Sequence, residues 1–226
     1  MRNAHAEDEI GTLELSGAGT YPHTVMERIG VIGSGRMGTA IGSAFARAGA
    51  EVLFGTRRAG ATETRHGSHR DAVAFGDVIV VAVRWSEAQR ILADIGDFGG
   101  KILLSCTNAE TDEAPLAVGF TTSAAELIQS WAPTARVVEA FIDTYAAHLD
   151  ASPHFSVTPP TVLYCGDDDE ARAVAARLIR SLGFDALDAG PLANARYMEP
   201  LAQLVVYFVR KRGLGPLGLS VHWKRH

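Results

Sequence analysis

Lysine is scarce in this chain of 226 residues, occurring only at Lys101, Lys211 and Lys224, and the other basic residues form no long stripe. With a formal net charge of -5, nothing in the sequence provides an electrostatic footprint for nucleic acid. Cysteine is scarcer still. Cys106 and Cys165 each close what reads as a buried strand, so a disulfide framework is excluded and reduced core thiols are expected. Long apolar runs are also missing: a stretch such as Leu204 to Val209 is far too short to span a bilayer. The first residues carry Glu7-Asp8-Glu9 where a secretory leader would have an apolar segment. The expected setting is cytoplasmic, with no membrane partner. No metal site is expected either, because His66 and His69 complete no ligand set with their neighbours. The acids from Asp167 to Glu170 read as the first turn of a helix, where the dipole favours them.

What the chain has in quantity is glycine, 23 residues of it, and three of these organise the rest. The run Arg28-Ile29-Gly30-Val31-Ile32 leads into Gly33-Ser34-Gly35-Arg36-Met37-Gly38 and then into a small-residue helix. A β-branched run, glycines spaced G-x-G-x-x-G and a following helix make the opening strand, turn and helix of a dinucleotide-binding unit. Gly33 permits the tight turn, Gly35 lets backbone approach a pyrophosphate, and Gly38 lets helix and strand pack closely. The helix N-terminus offers unpaired N–H groups to the phosphates, which involves Ser34, Arg36 and Met37.

The second strand, Glu51 to Phe54, ends in Gly55-Thr56-Arg57-Arg58 rather than in the carboxylate that would hold the ribose hydroxyls of NAD. A hydroxyl and two guanidiniums suit a 2′-phosphate instead, so Thr56, Arg57 and Arg58 predict NADP(H). Arg65 and His66, in the polar loop that follows, are weaker candidates for the same phosphate.

Residues 1–26 lack periodicity and end at Met26, beside the first strand; they read as a disordered arm or as an upstream extension from a misassigned start. A short helix over Asp71–Phe75 precedes a third strand, Asp77–Val83, whose continuous apolar run suits a parallel sheet buried on both faces. Ser86-Glu87 is expected to cap the next helix, and a strand from Lys101 to Ser105 ends in Cys106-Thr107-Asn108. In open parallel sheets ligands collect beyond the carboxyl ends of the strands. Val83, Arg84, Trp85, Thr107, Asn108 and Ala140 are therefore candidate walls for the nicotinamide end. A helix over Thr122–Trp131 and a strand over Arg136–Phe141 lead to Asp143-Thr144-Tyr145 and His148. The Ser, His and Pro composition of residues 150–160 marks a linker. Beyond it lie a strand at Thr161–Cys165, a helix to Ser181, a strand near Phe184–Asp188 and a long helix from Pro191 to Arg212. The apolar stripe Met198, Leu201, Leu204, Val205, Phe208 on that helix is core or a shared dimer face, so a homodimer is the expected assembly. The fold class is α/β: a Rossmann-type doubly wound parallel sheet over 27–150, with a small C-terminal α/β domain over 151–226.

These residues resemble the NADPH:coenzyme F420 oxidoreductases, which pass hydride between NADP and a deazaflavin. The likeness rests on Gly33 to Gly38, Thr56-Arg57-Arg58, Lys101 to Asn108 and Cys165-Gly166-Asp167, with Asp188-Ala189-Gly190-Pro191-Leu192 and Arg196-Tyr197-Met198-Glu199-Pro200-Leu201 behind them. The resemblance implies NADP(H) as cofactor and coenzyme F420 as candidate co-substrate, bound in a cleft between the two parts. Three stretches depart from the family pattern: Arg84-Trp85 stands for Pro-Trp, Thr107-Asn108-Ala109 for Thr-Asn-Pro, and Ala140-Phe141-Ile142-Asp143-Thr144-Tyr145 for Ala-Phe-Asn-Thr-x-Gly. All three fall on the nicotinamide side, where Tyr145 adds bulk to the place a flat deazaflavin would lie.

Hydride transfer between two rings needs proximity in a water-poor cleft and no obligatory acid from the protein. The acids of other NADP enzymes are missing: no helix-borne catalytic lysine is present, and Tyr197 is not followed by a lysine four residues on. If the acceptor is a carbonyl or imine, a proton donor is required, and Tyr145 and His148, with Asp143 beside them, are the candidates. A third reading is a non-catalytic NADPH-binding sensor.

Overall fold

The computed structural model describes residues 27–56, 65–111, 116–149 and 158–222. Strands β1 (Arg28–Ile32), β2 (Glu51–Gly55), β3 (Arg65–Gly67), β4 (Val78–Val81), β5 (Ile102–Ser105), β6 (Arg136–Ala140), β7 (Thr161–Gly166) and β8 (Asp185–Asp188) form one sheet in the order β3-β2-β1-β4-β5-β6-β7-β8. The first six run parallel; β7 is antiparallel to β6, and β8 is parallel to β7. Every residue of β4 and β5 is buried, as expected of apolar strands covered on both faces. The fold is thus α/β and Rossmann-like, with its order reversing between β1 and β4.

Helices cover both faces. Helices α1 (Arg36–Arg47) and α5 (Asp169–Ser181) bury Ile41, Phe45, Leu178 and Ile179 on one side. On the other, α2 (His69–Phe75), α3 (Trp85–Ile95), α4 (Ala124–Trp131) and α6 (Ala195–Arg212) bury Val73, Ile91, Leu92, Ile128, Met198 and Val205. Caps follow the sequence. Ser68 and Asp71 cap α2 reciprocally, and bonds from the Ser68 backbone and hydroxyl pull the Asp71 carboxyl below its ordinary range. Asp168 caps α5, and its oxygen together with Glu170 also takes Arg136, so the acidic run is a helix start and not a ligand cluster.

Several boundaries differ from expectation. β3 lies where a polar loop was expected; Arg65, His66 and Gly67 contain no aliphatic residue, and parallel pairing with β2 makes them a strand. Helix α3 begins at Trp85 with Arg84 at its cap, not at Ser86, because the Trp85 ring packs on Trp131, 5.1 Å away, within the first turn. The C-terminal stretch adds β7 and β8 to the edge that β6 would otherwise leave bare. Its tail returns toward the sheet, where the Thr161 N–H donates to the Leu219 carbonyl at 2.7 Å and the Val221 N–H to the Thr161 hydroxyl at 3.0 Å. Among the described residues no helix is long and apolar enough to cross a membrane.

Candidate active site

The glycine turn has the asymmetry a nucleotide requires. Gly33 has φ +114, and a Cβ there would stand 2.4 Å from the Ala82 carbonyl oxygen. A Cβ on Gly38 would stand 2.0 Å from the Gly33 carbonyl oxygen, so α1 lies directly on the turn. Gly35 is the opposite case: a Cβ there meets nothing within 4 Å. Gly35 is also the cap of α1, which has no side-chain cap and no acid in its first turn. Open space against uncapped N–H groups fits a pyrophosphate. Ser34 donates its hydroxyl to Thr56 at 3.2 Å, fastening the turn to the end of β2. Arg57 and Arg58 lie outside the described residues. Arg65 turns away from this end of the sheet: it pairs with Glu51 at 3.1 Å and stacks over Phe75. His66 stacks on Phe54, its neighbour across the strand pair.

From Arg36 and Met37 a cavity of about 1130 Å³ runs along the carboxyl ends of β4, β5 and β6 to α6. Of the residues expected at its walls, Val83, Arg84, Trp85, Asn108 and Tyr145 line it. Thr107, Ala140 and His148 do not. Thr107 is buried and donates to the Val81 carbonyl at 3.3 Å, and Ala140 lies within β6. His148 is buried too; its Nδ1 accepts the Tyr145 N–H at 3.2 Å, which leaves Nε2 to carry the proton of the neutral ring. Burial lowers the His148 pKa, opposed by a hydrogen bond to the Pro216 backbone. The imidazole fastens the loop that carries Tyr145.

Asp143, Tyr145 and Glu110 face the cavity. Desolvation pushes the Asp143 carboxyl up to about 6. Burial likewise raises Tyr145, whose hydroxyl has no hydrogen-bond partner. Asn108 donates to the Ile142 carbonyl at 3.0 Å while its own Oδ1 is left without a donor. The backbone bends into this wall at Phe141, which has φ +61 and is held edge-on between the rings of Phe45 and Phe184. Sequence reasoning missed the far wall: Val206, Val209 and Arg210 of α6, and Pro216 of the tail. Arg210 is paired with Glu110 at 3.1 Å, which also takes Gln203 at 3.3 Å. A spacing of three to four residues places Val206, Val209 and Arg210 on one helix face, but the apolar stripe beside them masked it.

This sheet, turn and cleft define a dinucleotide-binding Rossmann protein. Residues 28–109, from β1 to just past β5, match the family described as NADP oxidoreductase, coenzyme F420-dependent. A solved protein of Arthrobacter sp. FB24, described as an F420-dependent NADP-reductase, is 25% identical with a TM-score of 0.77, covering 88% of this chain and 100% of its own. The metalloreductase STEAP3 of Rattus norvegicus is 32% identical over 201 residues, 86% of this chain and 40% of the rat protein. The chain thus spans well under half the length of that relative. A reductive aminase from Aspergillus terreus, solved with NADPH4, cyclohexanone and allyl amine, shares the fold at 18% identity and a TM-score of 0.60, over 84% of this chain and 64% of its own.

Proposed function

We propose that the protein passes a hydride between NADP(H) and an acceptor seated between Trp85, Tyr145 and the α6 wall, coenzyme F420 being the first acceptor to test. The observation that carries this reading is a cavity that runs from Arg36 and Met37 of the glycine turn to a partly apolar wall at Val206 and Val209. When bound, NADPH supplies the reducing equivalent. Gly35 and the first amides of α1 hold its pyrophosphate, and Thr56, Arg57 and Arg58 its 2′-phosphate. Trp85, Phe141 and the two valines exclude water from the reacting faces. The family matched by residues 28–109 and the Arthrobacter protein support F420 as the acceptor.

The test is to mix the protein and NADPH with oxidised deazaflavin, then with flavins, then with carbonyl and imine compounds. Rapid bleaching of the deazaflavin supports the first reading; oxidation of NADPH by a small organic acceptor alone overturns it in favour of the second. Binding without oxidation overturns both and leaves a sensor. For the nucleotide itself, Arg57→Ala should lower the ratio of NADPH to NADH affinity by about 10- to 100-fold, the worth of a charge-assisted bond to phosphate. An unchanged ratio in a fluorescence titration would remove Arg57 from the site.

The second reading, reduction of a carbonyl or imine, is favoured by Asp143 and Tyr145 standing together at the cavity wall. A carboxyl with a pKa of about 6 is protonated, and able to donate, only below that pH. Turnover of an imine should therefore fall as pH rises through about 6, and Asp143→Asn should flatten that limb. With a deazaflavin, whose ring can take its proton from solvent, the limb should be absent in both proteins.

A further inference from the structure

The carboxyls of Glu139 and Glu199 interact inside the protein, 0% and 1% exposed, Glu139 on the strand that runs into the 141–147 wall of the cleft and Glu199 on the helix that forms its far wall. Glu139 lies on β6 two residues before Phe141, and Glu199 on α6 two turns before Val206. Glu199 Oε1 accepts the Ala125 N–H at 3.2 Å, at the start of α4. Its Oε2 and both oxygens of Glu139 are buried with no donor except the other carboxyl, which lies within hydrogen-bonding reach. Glu139 is flanked in the sheet by Ser105 on β5, whose hydroxyl is also unpartnered, and by Cys165 on β7. The charges nearby offer no relief. Asp143 and Glu126 act on Glu139 as further acids, and the guanidinium in the first turn of α6, Arg196, is taken up by Glu126 through bonds of 2.9 and 2.6 Å.

Two buried anions in contact would repel in a medium that screens them poorly. A proton between them removes one charge and makes a strong hydrogen bond of what remains. Glu199 is the better site for the remaining charge, because the α4 N-terminus already serves it. Glu139 then carries the proton and donates. We propose that Glu139 and Glu199 share one proton and act as positioning residues, latching the α6 wall of the cleft to the β6 wall while it is held and releasing it when it is lost.

Burial raises both carboxyls above their ordinary range, so the folded state retains a proton that the unfolded chain gives up. Stability from the latch is complete at acid pH and is lost as pH rises from the ordinary carboxyl range to the raised folded value. In Glu139→Gln the amide donates to Glu199 at every pH. The test compares the pH dependence of urea unfolding in wild type and Glu139→Gln. The folded-to-unfolded ratio of wild type should fall relative to the variant by about tenfold per pH unit above pH 5, the signature of one proton. Coincident slopes would overturn the proposal. This arm stands whatever the cleft binds. Should Glu139→Gln fail to fold, hydrogen exchange on the wild type decides. The α6 amides should lose protection between pH 6 and pH 9 beyond the acceleration seen in α1, and parallel behaviour of the two helices refutes the latch. In turnover, on the reading of the cleft given above, KM for the acceptor should rise at alkaline pH in wild type and stay level in Glu139→Gln, a split that a merely structural role would not produce.

Discussion

Gly35→Ala is expected to weaken NADPH binding by about two orders of magnitude while leaving the protein folded. The argument is steric on one side only. A methyl on Gly35 meets no protein atom within 4 Å, and its φ of -76 is open to alanine. Losing a flexible glycine and placing alanine at a cap act in opposite directions, each worth about 1 kcal/mol or less. The melting temperature should therefore move by only about 3 °C. The same methyl occupies the space through which backbone approaches a pyrophosphate, and the full loss falls on binding. Gly38→Ala is the contrasting control. Its methyl would stand 2.0 Å from the Gly33 carbonyl oxygen, a backbone atom that cannot swing aside. Overpacking of that kind costs about 3 kcal/mol, so the variant should melt roughly 10 °C lower and bind nothing. Thermal melts and nucleotide titrations of the two variants check the pair. Normal NADPH affinity in Gly35→Ala would remove the glycine turn from the binding site.

Phe45→Ala should cost about 3–5 kcal/mol, the range for removing a fully buried ring. Phe45 is 1% exposed and meets Phe141 edge-on at 6.5 Å, and Phe141 in turn meets Phe184 at 6.1 Å. The three rings join α1, the end of β6 and the approach to β8. Because Phe141 has φ +61, a backbone region that a bulky residue rarely occupies, this packing also holds its turn in place. Losing Phe45 should therefore loosen the loop of Asp143 and Tyr145 as well as destabilise the core. Urea unfolding measures the first effect, and hydrogen exchange across residues 141–149 the second. Phe45→Leu, which keeps most of the volume, should cost about 1 kcal/mol. Equal destabilisation by the two substitutions would mean that the ring is not the anchor.

The glycine turn was legible in the sequence because each of its requirements is local: a tight turn, an open approach and a close packing, each met by one residue. β4 and β5 were legible for a similar reason, since a strand covered on both faces must be apolar throughout. β3 was not, because Arg65, His66 and Gly67 become a strand only by pairing with β2. The far wall of the cleft was hidden by a helix that is apolar on more than one side. On α6, Met198 and Val205 face the core, Val206 and Val209 face the cavity, and Leu204 and Tyr207 stay exposed. His148 and Tyr145 were found as neighbours, but no sequence pattern announces that one supports the backbone of the other. Glu139 sits in the strand Val137-Val138-Glu139-Ala140, and its buried partner lies sixty residues further along the chain. Only the fold brings them together.

The reversal of β7 decides which end of the sheet the C-terminal stretch reaches. With β7 running against β6, Thr161 lies beyond the carboxyl end of β6, the end from which the loop of Asp143 and Tyr145 departs, while Asp188 pairs with Tyr164, level with Ala140. The tail lies along Thr161, whose N–H donates to the Leu219 carbonyl and whose hydroxyl accepts the Val221 N–H. A label placed on the tail at Val221 would therefore stand on the cleft side of the sheet, where Pro216 joins the wall. A reporter or tether attached there would stand within reach of whatever enters.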